Sequence, residues 1–224
     1  MGDKTYDVDL ICLGAGGACY PAAFRLAAAG KSVVMVDLKG VMSGNCLYEG
    51  CVPSKTMREL IVHMTRSKKF SQLGIAKHTV EMTLKSIMGH KESVQNNRYK
   101  QHEAELNKQS NIKLLSGRAS FIDAHTIVVK SSDHSEQILT AANIIIDTGC
   151  DVVRPDIPGI DLCFTSHDLF QHHSTFGDVV PSNLVIVGGG YIGLETACIF
   201  AELGSNVTVL QKGDQLLKGA EPTR

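Results

Sequence analysis

Residues 8–19 read Val8-Asp9-Leu10-Ile11-Cys12-Leu13-Gly14-Ala15-Gly16-Gly17-Ala18-Cys19. An apolar run of strand composition meets a glycine-rich turn, and an alanine-rich segment of helical character follows as far as Gly30. A second apolar stretch, 32–36, then ends at Asp37. The same strand–turn–helix–strand order returns downstream and aligns without a gap. There 184–187 lead into Gly188-Gly189-Gly190-Tyr191-Ile192-Gly193, a helical stretch runs to Gly204, and 206–210 end at Gln211. Gly14 aligns with Gly188, Gly16 with Gly190, Gly30 with Gly204 and Asp37 with Gln211.

This pattern divides the work of binding a dinucleotide among its residues. The first glycine permits the tight turn, the second lets the backbone approach a pyrophosphate, and the third brings helix and strand together. The helix amino terminus faces the phosphates, and an acidic residue closing the second strand can bond a ribose hydroxyl. A lone Gly-x-Gly-x-x-Gly carries little weight, and two tight turns without a ligand are the competing reading. Two copies, each between a strand and a helix and each followed by a second strand, point to paired Rossmann-like units in an α/β fold. Each copy has one departure. Cys19 stands where the third glycine of the first copy is expected, so that helix is expected to stand slightly further from its strand. Gln211 supplies neither the carboxylate that suits NAD nor the Arg that suits NADP, which leaves the choice open.

Between the copies runs Ser43-Gly44-Asn45-Cys46-Leu47-Tyr48-Glu49-Gly50-Cys51-Val52-Pro53-Ser54-Lys55-Thr56. Redox chemistry on a thiol pair needs two cysteines close enough to bridge and a thiolate to attack. The Cys46–Cys51 spacing fits a regular helix poorly, at about one turn and a half. It suits a distorted first turn, helped by Gly50 and by Pro53, which is tolerated near a helix start. Cys51 would then lie near a helix amino terminus, whose dipole favours a thiolate, with Lys55 one turn on. Two ordinary buried thiols are the alternative.

Composition limits the rest. The chain has 224 residues, 43% hydrophobic and 20% charged, with a net charge of −1. That balance offers no attraction for nucleic acid or an anionic membrane, and no apolar run is long enough to span a bilayer. Residues 1–9 lack the apolar core of a signal peptide. A cytoplasmic protein with neither nucleic acid nor membrane as partner is expected. The seven cysteines, Cys12, Cys19, Cys46, Cys51, Cys150, Cys163 and Cys198, are odd in number and scattered, unlike a secreted disulfide framework. Cys12 and Cys198 lie in apolar runs and are expected to be buried. No cysteine or histidine spacing indicates a metal site. Residues 79–110 read as a long exposed helix, and 112–115, 126–129, 136–139 and 143–147 as short strands. Lys68-Lys69 and His172-His173 read as solvated surface, and 150–159, with Pro155 and Pro158, as a linker.

Taken together, these motifs resemble the pyridine nucleotide–disulfide oxidoreductases, most closely the dihydrolipoamide dehydrogenase-like branch. The resemblance rests on Gly14-Ala15-Gly16 with Tyr20-Pro21-Ala22-Ala23, on Asp37, and on Gly44-Asn45-Cys46-Leu47-x-x-Gly50-Cys51-Val52-Pro53-Ser54-Lys55. It continues through Gly117-Arg118-Ala119-Ser120-Phe121, 144–149, Ile157-Pro158-Gly159 and 188–195. It implies an FAD-binding domain over 1–150 carrying a small antiparallel sheet, which the four short strands of 112–147 suit, then the first half of an NAD(P)-binding domain over 151–224. Gly14, Gly16, Asp37, Gly44, Asn45, Gly117, Thr148 and Gly149 would surround FAD. Cys51 would contact the flavin and Cys46 would attack an external disulfide. Lys55 would lie near the flavin and pair with Glu195. Gly188, Gly190, Gly193 and Gln211 would hold the nicotinamide nucleotide. The implied partner is a small or lipoyl-linked disulfide or dithiol, and the implied full-length form is a homodimer. Asp147 stands where the family usually has a small apolar residue. Thirteen residues follow Gln211, so the remaining nicotinamide domain and the dimer domain with its His–Glu pair are not found here. An inactive FAD-binding fragment, half of a two-chain enzyme and a mercuric reductase relative are the alternatives.

Overall fold

The computed structural model describes residues 5–75 and 80–219. The chain forms two compact units, one from Met1–Tyr48 with Asn96–Val153 and the other from Glu49–Gln95 with Arg154–Arg224. In chain order it runs β1 (Val8–Leu13), α1 (Cys19–Ala28), β2 (Val33–Asp37), α2 (Gly44–Tyr48), α3 (Cys51–Gln72) and α4 (Leu84–Leu106). Then come β3 (Ile112–Ser116), β4 (Arg118–Phe121), β5 (Thr126–Lys130), β6 (Glu136–Ile146), α5 (Ser166–Phe170), β7 (Asn183–Val187), α6 (Tyr191–Glu202) and β8 (Asn206–Leu210).

The first unit is one six-stranded sheet in the order β3-β2-β1-β6-β5-β4. β3, β2, β1 and β6 run parallel, whereas β6, β5 and β4 pair antiparallel. Alternation along β1 and β2 explains the burial of both faces. Leu10, Cys12, Val33 and Met35 enter the core beneath α1, while Ile11, Leu13, Val34 and Val36 enter the opposite one with Ile127 and Val129.

Two strand expectations change here. Residues 112–115 join the parallel sheet beside β2, and 136–139 with 143–147 merge into the single strand β6. Ala141 and Ala142, which look like a break in strand composition, are held because β6 pairs with β5 up to Thr140 and with β1 from Ala141. Arg118–Phe121 forms a strand that its sequence alone did not announce, antiparallel to β5.

The second unit is built round Met57, Ile61 and Met64 of α3, Leu84, Ile87 and Met88 of α4, Leu169 and Phe170 of α5, and Ile199 and Phe200 of α6. One face of α4 is therefore buried rather than exposed, and its first residue is Leu84; position 79 lies outside the described residues. β7 and β8 form a parallel pair in the register Asn183↔Asn206 to Val187↔Leu210, with α6 as the crossover. Cys12 is buried as expected, but Cys198 is exposed, because Ile199 and Phe200 take the core-facing positions of α6. No helix among the described residues is long and apolar enough to cross a membrane.

Candidate functional site

In the first unit the expected cofactor residues gather at the carboxyl ends of β1, β2, β3 and β6. A parallel sheet of this kind opens a binding crevice there, where strand order reverses on either side of β1. Gly14 turns out of β1 at φ +106°, and a Cβ on it would fall 1.9 Å from the Asp147 carbonyl oxygen, so no other residue fits. The next amide, Ala15 N–H, donates to Asp37 Oδ2 at 3.1 Å, and Lys39 N–H donates to Asp37 Oδ1 at 2.8 Å. Gly44 lies against Gly16, since a Cβ there would sit 3.0 Å from the Gly16 Cα. The preceding Ser43 N–H bonds the Ala15 carbonyl at 2.7 Å. Asn45 donates from Nδ2 to the Cys150 carbonyl at 2.8 Å and accepts from Lys39 Nζ at 3.2 Å. Gly117 N–H donates to the Asp37 carbonyl at 3.1 Å, and the exposed Thr148 and Gly149 continue from β6. Cys46 is an exposed thiol on α2.

These residues fit an adenine dinucleotide in the turn, in the carboxylate for the ribose and in the glycine approach. One group conflicts. Asp147 Oδ2 accepts the Ala18 and Cys19 N–H groups at 3.2 and 3.0 Å, at the amino terminus of α1 where a pyrophosphate would bind. A Cβ on Gly16 would lie 2.9 Å from that oxygen. Cys19 buries its side chain completely at the position of the missing third glycine. Its hydrogen bond with Cys12, its burial and the nearby Asp147 carboxylate push its thiol well above the ordinary range, so it stays protonated.

In the second unit Cys51 is the first residue of α3 and is exposed. The break in regular structure falls at Glu49-Gly50, between two separate helices, rather than within the first turn of one. One turn further along α3, Lys55 makes an ion pair with Glu195 on α6. The turn before α6 repeats that before α1. Gly188 has φ +114°, and Gly189 N–H donates to Gln211 Oε1 at 2.8 Å, as Ala15 does to Asp37. Gln211 thus holds the loop as Asp37 does, without the negative charge. A Cβ on Gly193 would come 2.1 Å from the Gly188 carbonyl oxygen, so this third glycine sets the approach of helix to strand. Gly190 caps α6 with no atom within 4 Å of a Cβ placed on it.

One cluster in this unit is not legible in the sequence. His172, His173 and Glu92 present ligand atoms within 4.8 Å of one another, although the histidines read as surface. The Lys91 ammonium, on a fully buried residue, lies 3.1 Å from Glu92 Oε1 and donates to the Gln171 carbonyl at 2.6 Å. Burial pushes the Glu92 carboxyl up, but Lys91 and the Ser174 and His173 amides outweigh it and hold the group below the usual carboxylate range. Burial and the neighbouring His173 push His172 down, towards the neutral imidazole. The signal missed was the position of Lys91 on the apolar face of α4, where a lysine requires a partner.

Residues 8–223 match the pyridine nucleotide-disulphide oxidoreductase family, and the chain belongs to it. Members of this family use FAD and NAD(P). The chain is 33% identical over 222 residues to a dihydrolipoyl dehydrogenase of Geobacillus stearothermophilus, covering 99% of this chain and 46% of the relative. It is 30% identical over 224 residues to a mercuric reductase of Bacillus cereus, covering 98% of this chain and 33% of the relative. Among solved structures, the HOCl-induced flavoprotein disulfide reductase RclA from Escherichia coli matches with TM-score 0.77 and 28% identity, over 93% of this chain and 43% of that one. The chain thus spans from a third to under half the length of these relatives.

Proposed function

We propose that this chain carries the flavin-side redox machinery of a dihydrolipoyl dehydrogenase-like disulfide oxidoreductase, with 1–150 binding FAD and 151–224 contributing to NAD(P) binding. The full-length form would be a cytoplasmic homodimer acting on a lipoyl-linked or small disulfide. The observation that carries this reading is Cys51 at the start of α3, with Lys55 one turn on paired to Glu195 on the helix of the second glycine-rich repeat.

When bound, FAD supplies hydride exchange with the nicotinamide and electron-pair exchange with the thiol pair. The chain's own residues handle the sulfur chemistry. In the reductive direction the Cys46 thiolate attacks one sulfur of the external disulfide, the S–S bond breaks, and the released thiolate takes up a proton. Cys51, as thiolate, then attacks the Cys46 sulfur. The Cys46–Cys51 disulfide forms and the second substrate thiol leaves. A dihydrolipoyl substrate runs these steps in reverse. Lys55 holds positive charge on the turn after Cys51, and Glu195 fixes the direction of its side chain. Lipoamide is preferred because the cysteine motif carries no basic patch for an acidic thiol.

The test is spectroscopic. Reduced, flavin-loaded protein is expected to show a long-wavelength thiolate–flavin absorbance that Cys46→Ser keeps and Cys51→Ser loses. The opposite pattern refutes the two roles. A second reading, flavin binding without turnover, draws on Gln211, which lacks the carboxylate that suits NAD, and predicts yellow protein that NAD(P)H does not reduce.

A further inference from the structure

We infer that Asp147 is a built-in competitor for the phosphate-binding end of the first glycine-rich repeat, so this chain holds FAD more weakly than its other cofactor residues allow. The inference rests on the FAD reading above. Asp147 N–H bonds the Leu13 carbonyl at 2.7 Å, and the preceding Ile146 is in register with Leu13, so the backbone of Asp147 is fixed at the end of β6. From there Oδ2 reaches both Ala18 N–H and Cys19 N–H.

Cys19 N–H also lies 3.1 Å from the Gly16 carbonyl, which leaves Ala18 N–H as the donor most fully committed to Asp147. α1 has no acidic side chain in its own first turn, so this carboxylate, brought from β6, is the anion its dipole meets. A pyrophosphate approaching over Gly16 would meet the same oxygen, since even a Cβ there lies within 2.9 Å of it. Two anions cannot share these donors, and each repels the other in a partly buried crevice. The second repeat shows the contrast, because a Cβ placed on Gly190 would have no atom within 4 Å. For FAD to bind, the Asp147 side chain must rotate away and lose both bonds.

The experiment is titration of the full 224-residue chain with FAD, followed by flavin fluorescence, for wild type, Asp147→Ala, Asp147→Asn and Asp133→Ala. Asp133→Ala removes the same charge from an exposed turn of the same unit. Asp147→Ala is expected to lower Kd by at least about tenfold, which corresponds to about 1.4 kcal/mol. Asp147→Asn should shift it in the same direction by less, and it carries the test if the alanine variant does not fold. Asp133→Ala should leave Kd within about twofold of wild type, well inside the affinity change that decides the matter. The inference is overturned if wild type and both Asp147 variants bind equally, or if Asp133→Ala tightens binding as much. If none of the four proteins binds FAD, the inference and the FAD reading fall together; if wild type already binds tightly and Asp147→Ala no better, the inference alone falls.

Discussion

At the residue scale, two glycines have no substitute. Gly14→Ala would put a Cβ on a left-handed backbone 1.9 Å from the Asp147 carbonyl oxygen. Gly193→Ala would press a methyl 2.1 Å from the Gly188 carbonyl oxygen. Each is expected to cost about 2–3 kcal/mol, measured by urea unfolding, whereas Gly17→Ala, with open space around it, should cost under about 1 kcal/mol. His172 yields a pH prediction. Its ordinary value is 6.5 and the folded value is lower, owing to burial, the neighbouring His173 and the Lys91 ammonium, with Glu92 opposing them. Above pH 6.5 both folded and unfolded states leave the ring neutral and there is no effect. As pH falls through 6.5 the unfolded state binds the proton first, so stability is lost towards the depressed folded value. The melting temperature should therefore fall more steeply between pH 7 and 5.5 in wild type than in His172→Gln, a pair of scans that equal slopes would refute.

At the element scale, α5 is a five-residue helix that depends on its capping box. Asp168 Oδ2 accepts both the Thr165 N–H, at 2.6 Å, and the Thr165 hydroxyl, at 2.8 Å. Thr165→Ala should cost about 1 kcal/mol in chemical denaturation. A larger dependence attaches to α4. Glu92→Ala would leave the buried Lys91 without its counter-ion, and about 3 kcal/mol is expected, against less for Lys91→Met, which removes the charge itself. Equal losses in the two variants would show that the ion pair is not what makes Glu92 important. The Lys55–Glu195 pair differs from both, since Lys55 is half exposed. Its contribution to stability is expected to be under about 1 kcal/mol, so any effect of Glu195→Gln on electron transfer reports on chemistry rather than on folding.

At the scale of the whole molecule, apolar side chains on the short sheet of the second unit meet solvent: Val185, Val187 and Leu210 are 59%, 57% and 52% exposed. An uncovered face of this composition promotes association. The chain as it stands should show concentration-dependent self-association by analytical ultracentrifugation, and Val187→Lys should reduce it.

The sequence by itself determined the paired βαβ units, the order of their parts and the cysteine motif. These are local patterns: glycines at fixed spacing, strand–helix alternation and a helix start at Cys51 all act over a few residues. The parallel strands β1 and β2, which follow from the glycine turn and the alanine-rich helix, are of this kind. Only the tertiary structure decided what depends on distant partners. β6 is one strand because β1 and β5 hold different stretches of it, and Lys91 is buried where Glu92 and the carbonyls of Phe170 and Gln171 receive it. Asp147, far along the chain from α1, stood out in the sequence only as an unusual residue. Its meaning depends on strand pairing that carries its carboxylate onto the amides of Ala18 and Cys19, a contact that no local pattern encodes.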